Sequence, residues 1–312
     1  MKYLIFLFFL IVVCDGNAKI SKRQANIVLK KDCEQSKMFL PTKMGDGRIM
    51  FDMSYVDGTL TYYYTVNDSF LDEINNATQL GWSFYRSQFG ESLEELGIDI
   101  EDYDKRKFEN VYSVNDALAQ LFRGTDAYLF SEVFLSYPMQ EILLKAADFR
   151  LVGIVYTVNR KKIVCKYTVS IEDINFIKSL RKQGRSLTTL RGIYLSLYNC
   201  IKGALSNNND LPLQIDSATR QLRTTYSENK KTIYYNYEID ECYFSEIKNS
   251  KECRDNIKKN IIQWYSKLVS KEGLESLMLY GVNYCAKYQK RNSNQTIEIN
   301  IPFSEIYYNK QK

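Results

Sequence analysis

The sequence predicts an α+β protein built from repeated β-β-α(-β-β) modules, with antiparallel sheets that carry helices on one face. Three observations carry this. Leu40-Pro41 and Leu211-Pro212 each precede a tyrosine-opened, strand-like segment, at Tyr55 and at Tyr226. A third related segment opens at Tyr156, and it spaces its end tyrosines, Tyr156 and Tyr167, as Tyr226 and Tyr237 are spaced. Strand-period runs also give way repeatedly to helix-period runs, which is the pattern of layered sheets and helices.

The chain opens with Met1-Lys2, an apolar run from Tyr3 to Val13, and small residues at Gly16 and Ala18. This is the layout of a signal peptide over 1–18, and the apolar run is too short to span a bilayer. Export to a periplasm or to the medium is therefore expected. Lipid anchoring through Cys14 is the weaker alternative, because Val13 occupies the position where a small residue is wanted. Residues 19–38 are polar, basic and without periodicity, and are expected to form a flexible lead-in.

A first module is expected over 39–136. Alternation from Ile49 to Val66 through Asp57-Gly58 predicts a hairpin, because Asp-Gly favours a tight two-residue turn. Asn67-Asp68-Ser69 stops the strand and caps a helix expected over 69–95, with Phe70, Ile74, Ala77, Phe84 and Leu93 on one face. A second helix is expected from Val114 to Ser136 on the stripe Leu118, Leu121, Phe122, Leu129, Val133 and Phe134.

A middle module is expected over 137–207. Its hairpin pairs 149–156 with 162–169 around Asn159-Arg160, and helices follow over 171–182 and 187–204 with Gly184 between them. An Asn-rich linker at 206–210 leads to the last module, 208–312. There strands are expected at 219–226 and 232–239, and a helix at 255–270 on Ile257, Ile261, Tyr265 and Leu268. A closing hairpin over 281–289 and 295–301 completes it, where the alternation from Ile297 to Ile301 predicts one wet and one covered sheet face.

The Leu-Pro, tyrosine-ended hairpin, helix, Leu-rich turn and closing tyrosine strand resemble a group of small exported bacterial proteins of uncharacterised function. The residues that carry the likeness are Leu211-Pro212, Tyr226, Tyr235, Tyr237, Leu274, Leu277, Gly281, Tyr284 and Tyr288. Leu40-Pro41, Tyr55, Tyr62 and Tyr64 repeat it, followed more loosely by Leu93, Leu96 and Gly97. The resemblance implies export and the fold, and it brings no catalytic residues with it.

Composition narrows the chemistry. The 312 residues are 45% hydrophobic and 25% charged, a globular balance, and 42 basic against 37 acidic residues leave a net charge of +5. That charge is spread out, without the concentrated block that grips phosphate backbones, so nucleic acid is not an expected partner. The chain has no His, which excludes Ser-His-Asp and Cys-His catalysis by this chain alone and His-containing zinc sites. No cofactor, metal or catalytic set is expected. The acidic run 99–104 lacks the turn glycine and the closing Glu of a calcium loop.

Removing the signal leaves six cysteines, and Cys242 with Cys253 is the most plausible local disulfide, whereas Cys165 inside an apolar strand reads as a buried thiol. The 25 tyrosines are the other departure from ordinary composition. Most satisfy strand propensity. Tyr63 and Tyr234 fall on the side of their strands away from the helices, and are the expected partner-binding surface. The expected role is an exported, non-enzymatic protein that binds another protein. The alternatives are a hydrolase of envelope polymers using Asp240-Glu241 with Glu275, or a structural component of envelope assembly.

Overall fold

A computed structural model describes residues 20–67, 69–70, 72, 112–269 and 271–311. The signal peptide, most of the helix expected over 69–95 and the acidic run 99–104 lie outside the described residues. The described residues divide into two compact units, one ending within the first half of a long helix at Leu195 and the other continuing from Ser196.

The first unit begins with helix α1 (Lys22–Ser36), so the expected lead-in is folded. Ser21 caps it and Gln24 reaches back in a reciprocal capping box, while Ala25, Leu29 and Cys33, four apart, are buried. Strands β1 (Thr42–Lys43), β2 (Ile49–Val56) and β3 (Thr59–Val66) follow, then helices α2 (Val114–Ser136) and α3 (Pro138–Ala146). Strands β4 (Arg150–Thr157) and β5 (Ile163–Ser170) and helix α4 (Ile171–Lys182) complete the unit, with the start of α5 (Leu187–Ser206).

The sheet runs β1-β2-β3-β4-β5. The hairpin expected to found a middle module therefore closes the first module's sheet instead. Its β4 lies parallel to β3, from Thr59 beside Arg150 to Val66 beside Thr157, so the sheet is mixed and not purely antiparallel. A parallel neighbour needs a long crossover, and α2 and α3 belong to that crossover.

The second unit repeats this plan. Strands β6 (Leu213–Gln214), β7 (Thr219–Ser227) and β8 (Thr232–Ile239) precede helices α6 (Glu241–Asn249), α7 (Lys251–Leu268) and α8 (Lys271–Tyr280). Strands β9 (Asn283–Lys290) and β10 (Thr296–Pro302) and helix α9 (Phe303–Lys310) follow, and the sheet order is β10-β9-β8-β7-β6. Again the central pair, β8 and β9, is parallel. The likeness reaches single residues. A bulge falls between Met50 and Asp52 in β2 and between Gln221 and Arg223 in β7. Leu40-Pro41 and Leu211-Pro212 are both cis. The Arg150 N–H donates to the Gly58 carbonyl at 2.9 Å, and the Asn283 N–H to Lys231 at 2.8 Å.

The two cores differ in kind. In the second unit a tyrosine ladder fills the space: Tyr235 stacks on Tyr284 with ring centroids 4.7 Å apart, and Tyr237 on Tyr288 at 5.2 Å. In the first unit a charge is buried. Arg48 has no solvent exposure, and its Nη2 donates to Asp126 Oδ1 at 2.7 Å and its Nε to Asp46 Oδ2 at 2.9 Å. The guanidinium lies 4.3 Å from the Tyr64 ring centroid and 4.4 Å from that of Phe122. Burial opposes its charge, but Asp126, Tyr167, Tyr64 and Asp46 outweigh that and hold its pKa above the ordinary value. Gly153 makes room for Tyr167, since a Cβ there would fall 2.1 Å from the Tyr167 ring. The Tyr167 hydroxyl donates to Asp126 Oδ2 at 2.5 Å.

A second buried acid is unsupported. Asp32 on α1 is 5% exposed, its Oδ2 has no hydrogen-bond partner, and burial pushes its pKa from 3.8 to about 6. Between those values the folded chain holds a proton that the unfolded chain has released. This group's contribution to stability therefore falls as pH rises from about 4 to about 6. Asp32→Asn is expected to raise the melting temperature at pH 7 by roughly 2–5 °C and to have little effect at pH 4. Thermal melts across pH check this. An equal shift at both pH values would contradict it.

Candidate functional site

In the first unit, alternation along β3 sends Tyr62 and Tyr64 into the core and leaves Tyr63 half-buried on the face away from the helices. Tyr63 stands beside Ile154 of β4 and opposite Asp52 of β2. Phe51, the extra residue of the β2 bulge, joins the same face: its ring lies 6.3 Å from that of Tyr63 and 6.0 Å from that of Tyr156. The Arg160 guanidinium caps Phe51 at 3.9 Å from the ring centroid. Val152, Ile154 and Tyr156 are half-buried along β4. The result is an apolar and aromatic sheet face.

A basic rim borders it. The β4–β5 turn holds Arg160, Lys161 and Lys162, and Lys166 lies on β5 beside Ile154. All four are exposed, and none forms an ion pair among the described residues. Arg160 adopts a φ of 57°, which aims the turn while its side chain folds over Phe51.

The equivalent face of the second unit is polar. By strand position, Leu222 stands where Phe51 does, Asn236 for Tyr63, Lys287 for Ile154 and Gln289 for Tyr156. Two of its cations are matched, Lys287 paired to Glu298 at 3.2 Å and Arg291 to Glu238 at 3.5 Å. Tyr234 is half-buried there between Thr225 and Cys285, with no aromatic ring against it among the described residues. Tyr63 thus belongs to a cluster and Tyr234 does not. Phe51 and Arg160 are the members that sequence reasoning passed over.

The remaining candidates hold structural posts. Asp240 caps α6 through the Tyr243 N–H at 2.8 Å, and Glu241 pairs with Lys290. The six described cysteines are free thiols, so Cys242, exposed on α6, and Cys253, half-buried on α7, are not joined in this structure. Burial pushes the Cys33 thiol up to about 11 and those of Cys165, Cys200 and Cys285 up to about 12, which keeps them protonated and poorly nucleophilic at neutral pH. Among the described residues no group of three or more Cys, Asp or Glu is placed to hold a metal, and no helix is long and apolar enough to cross a membrane. No family model, curated protein or solved structure matches the chain.

Proposed function

We propose that this is an exported, non-enzymatic protein whose first unit binds another protein through its open sheet face. The preferred partner segment is acidic and carries apolar or aromatic side chains. The observation that supports this reading is the contrast between the two units. One plan, kept to the same bulge and register, carries Phe51, Tyr63 and Tyr156 beside four cations that form no ion pair among the described residues of one unit. On the other unit the same positions hold Leu222, Asn236 and Gln289, and two of the cations, Lys287 and Arg291, pair with glutamates. A foldedness requirement acts on both copies alike, so it does not account for aromatics on only one open face. Aromatic rings with few rotors and a cation at their edge are the ordinary makings of a binding hot spot.

Synthetic peptides test the reading by fluorescence anisotropy. A Glu-rich peptide bearing Phe is expected to bind, and to bind about tenfold more weakly when Gln replaces Glu or Ser replaces Phe. Rising salt weakens it as well, because Lys161, Lys162 and Lys166 are exposed. A protein that binds none of the peptides, or all of them alike, contradicts the reading.

A further inference from the structure

The same unit holds a second set of unmatched cations, on its helices. Arg181, in the last turn of α4, has its guanidinium carbon 4.5 Å from the Tyr128 ring centroid, and that of Arg191, on α5, lies 5.0 Å from it. Both groups therefore sit against one ring of α2. Arg181 Nη1 also donates to the Ser131 hydroxyl at 3.3 Å, and Ser131 is buried. Arg191 is held close to α2 by Gly124, whose Cα lies so near the Arg191 carbonyl that a Cβ would come within 2.3 Å of it.

Other arginines in this unit that stack on rings of its core carry their own counter-charge. Arg48 has Asp126 and Asp46. Arg123 stacks on Tyr194 at 4.5 Å and makes a two-pronged pair with Asp173, at 2.8 Å and 3.2 Å. Arg181 and Arg191 form no ion pair among the described residues. Arg191 Nε is buried and has no acceptor among the described residues. Two like charges brought to one half-buried ring repel, and a buried donor left unmade carries a desolvation cost. An anion that contacts both guanidinium groups offsets that repulsion, since each guanidinium fork matches two oxygens of a tetrahedral oxyanion.

We propose that Arg181, Arg191 and the Ser131 side of α2 form a binding site for a phosphate or sulfate group. The Tyr128 ring holds both guanidiniums in place. The site belongs to the helix layer and does not depend on the open sheet face.

Calorimetry with inorganic phosphate and with sulfate tests it, against sodium chloride at matched ionic strength. Binding of one anion per chain is expected, weakened about tenfold or more in Arg181→Gln and in Arg191→Gln. Arg181→Lys keeps the charge without the fork and should fall between them and the wild type. Arg223→Gln, at an exposed position of β7 in the other unit, should change nothing. Circular dichroism confirms that each variant is folded, and phosphate tighter than sulfate would favour a phosphate ester as the natural group. No heat beyond that of chloride, or unchanged affinity in both folded Gln variants, overturns the proposal.

Discussion

Asp126→Asn is expected to cost the first unit about 3–5 kcal/mol, because it strands the Arg48 guanidinium in a site with no access to water. Asp46 still pairs with Arg48, but it lies nearer the surface, with 21% of its side chain exposed. Tyr167 and Tyr64 lose their charged acceptor at the same time, since both hydroxyls donate to Asp126 Oδ2. The loss comes from desolvation of a charge left without its partner and not from a missing contact alone. Arg48→Met combined with Asp126→Leu removes both charges and should recover much of the stability that either single change loses. Because the chain has two units, amide hydrogen exchange along β3 and β5 is the suitable readout, and the second unit serves as internal reference. A loss below about 1 kcal/mol would mean that Arg48 is not held as described.

Gly124→Ala is the other large effect. The new methyl would meet the Arg191 carbonyl oxygen at 2.3 Å and its carbon at 3.2 Å, and both atoms are backbone. A side chain can rotate away from such a contact, whereas a helix must shift as a body. The expected cost is about 1–3 kcal/mol, the range for overpacking a close-packed site. Gly192, also on α5, has nothing within 4 Å of an added Cβ. Gly192→Ala should therefore be neutral or gain up to about 1 kcal/mol from helix propensity. Urea denaturation of the pair checks this. Equal behaviour of the two variants would contradict the close approach of α2 and α5. Gly124→Ala should also weaken anion binding, because it displaces Arg191.

Much of the fold was legible where one period dominates a long run. The helix Val114–Ser136, the helix Ile171–Lys182 and the strand Thr232–Ile239 lie where hydrophobic periodicity places them. Helix α1 escaped because only Ala25, Leu29 and Cys33 mark its buried side, and Lys30, Lys31 and Asp32 interrupt the pattern between them. Helices α6 and α8 are short, and their signals are caps and small residues, such as Asp240 before α6 and Gly273 within α8. Strand partners were the largest error. Period-two alternation says which face a residue takes but not which strand lies beside it, so the β4–β5 hairpin passed as a module of its own.

The site was half legible for the same reason. Tyr63 follows from alternation along β3. Phe51 does not, because the bulge between Met50 and Asp52 breaks the alternation that would have shown its face. Arg181 and Arg191 come from different helices, and only tertiary packing brings them to Tyr128. Arg48 gave no sign at all. A lone arginine ahead of a strand reads as exposed until its partner Asp126 is known.

The most direct test exchanges the two faces. Phe51→Leu, Tyr63→Asn and Tyr156→Gln together give the first unit the residues that the second unit carries at those positions. These side chains are half-buried and lie outside the core, so the triple variant should keep its hydrogen-exchange protection. Its affinity for the Glu-rich, Phe-bearing peptide, measured by anisotropy, is expected to fall at least about tenfold below that of the wild type. A folded triple variant that binds the peptide as tightly as the wild type would contradict the assignment of binding to this face.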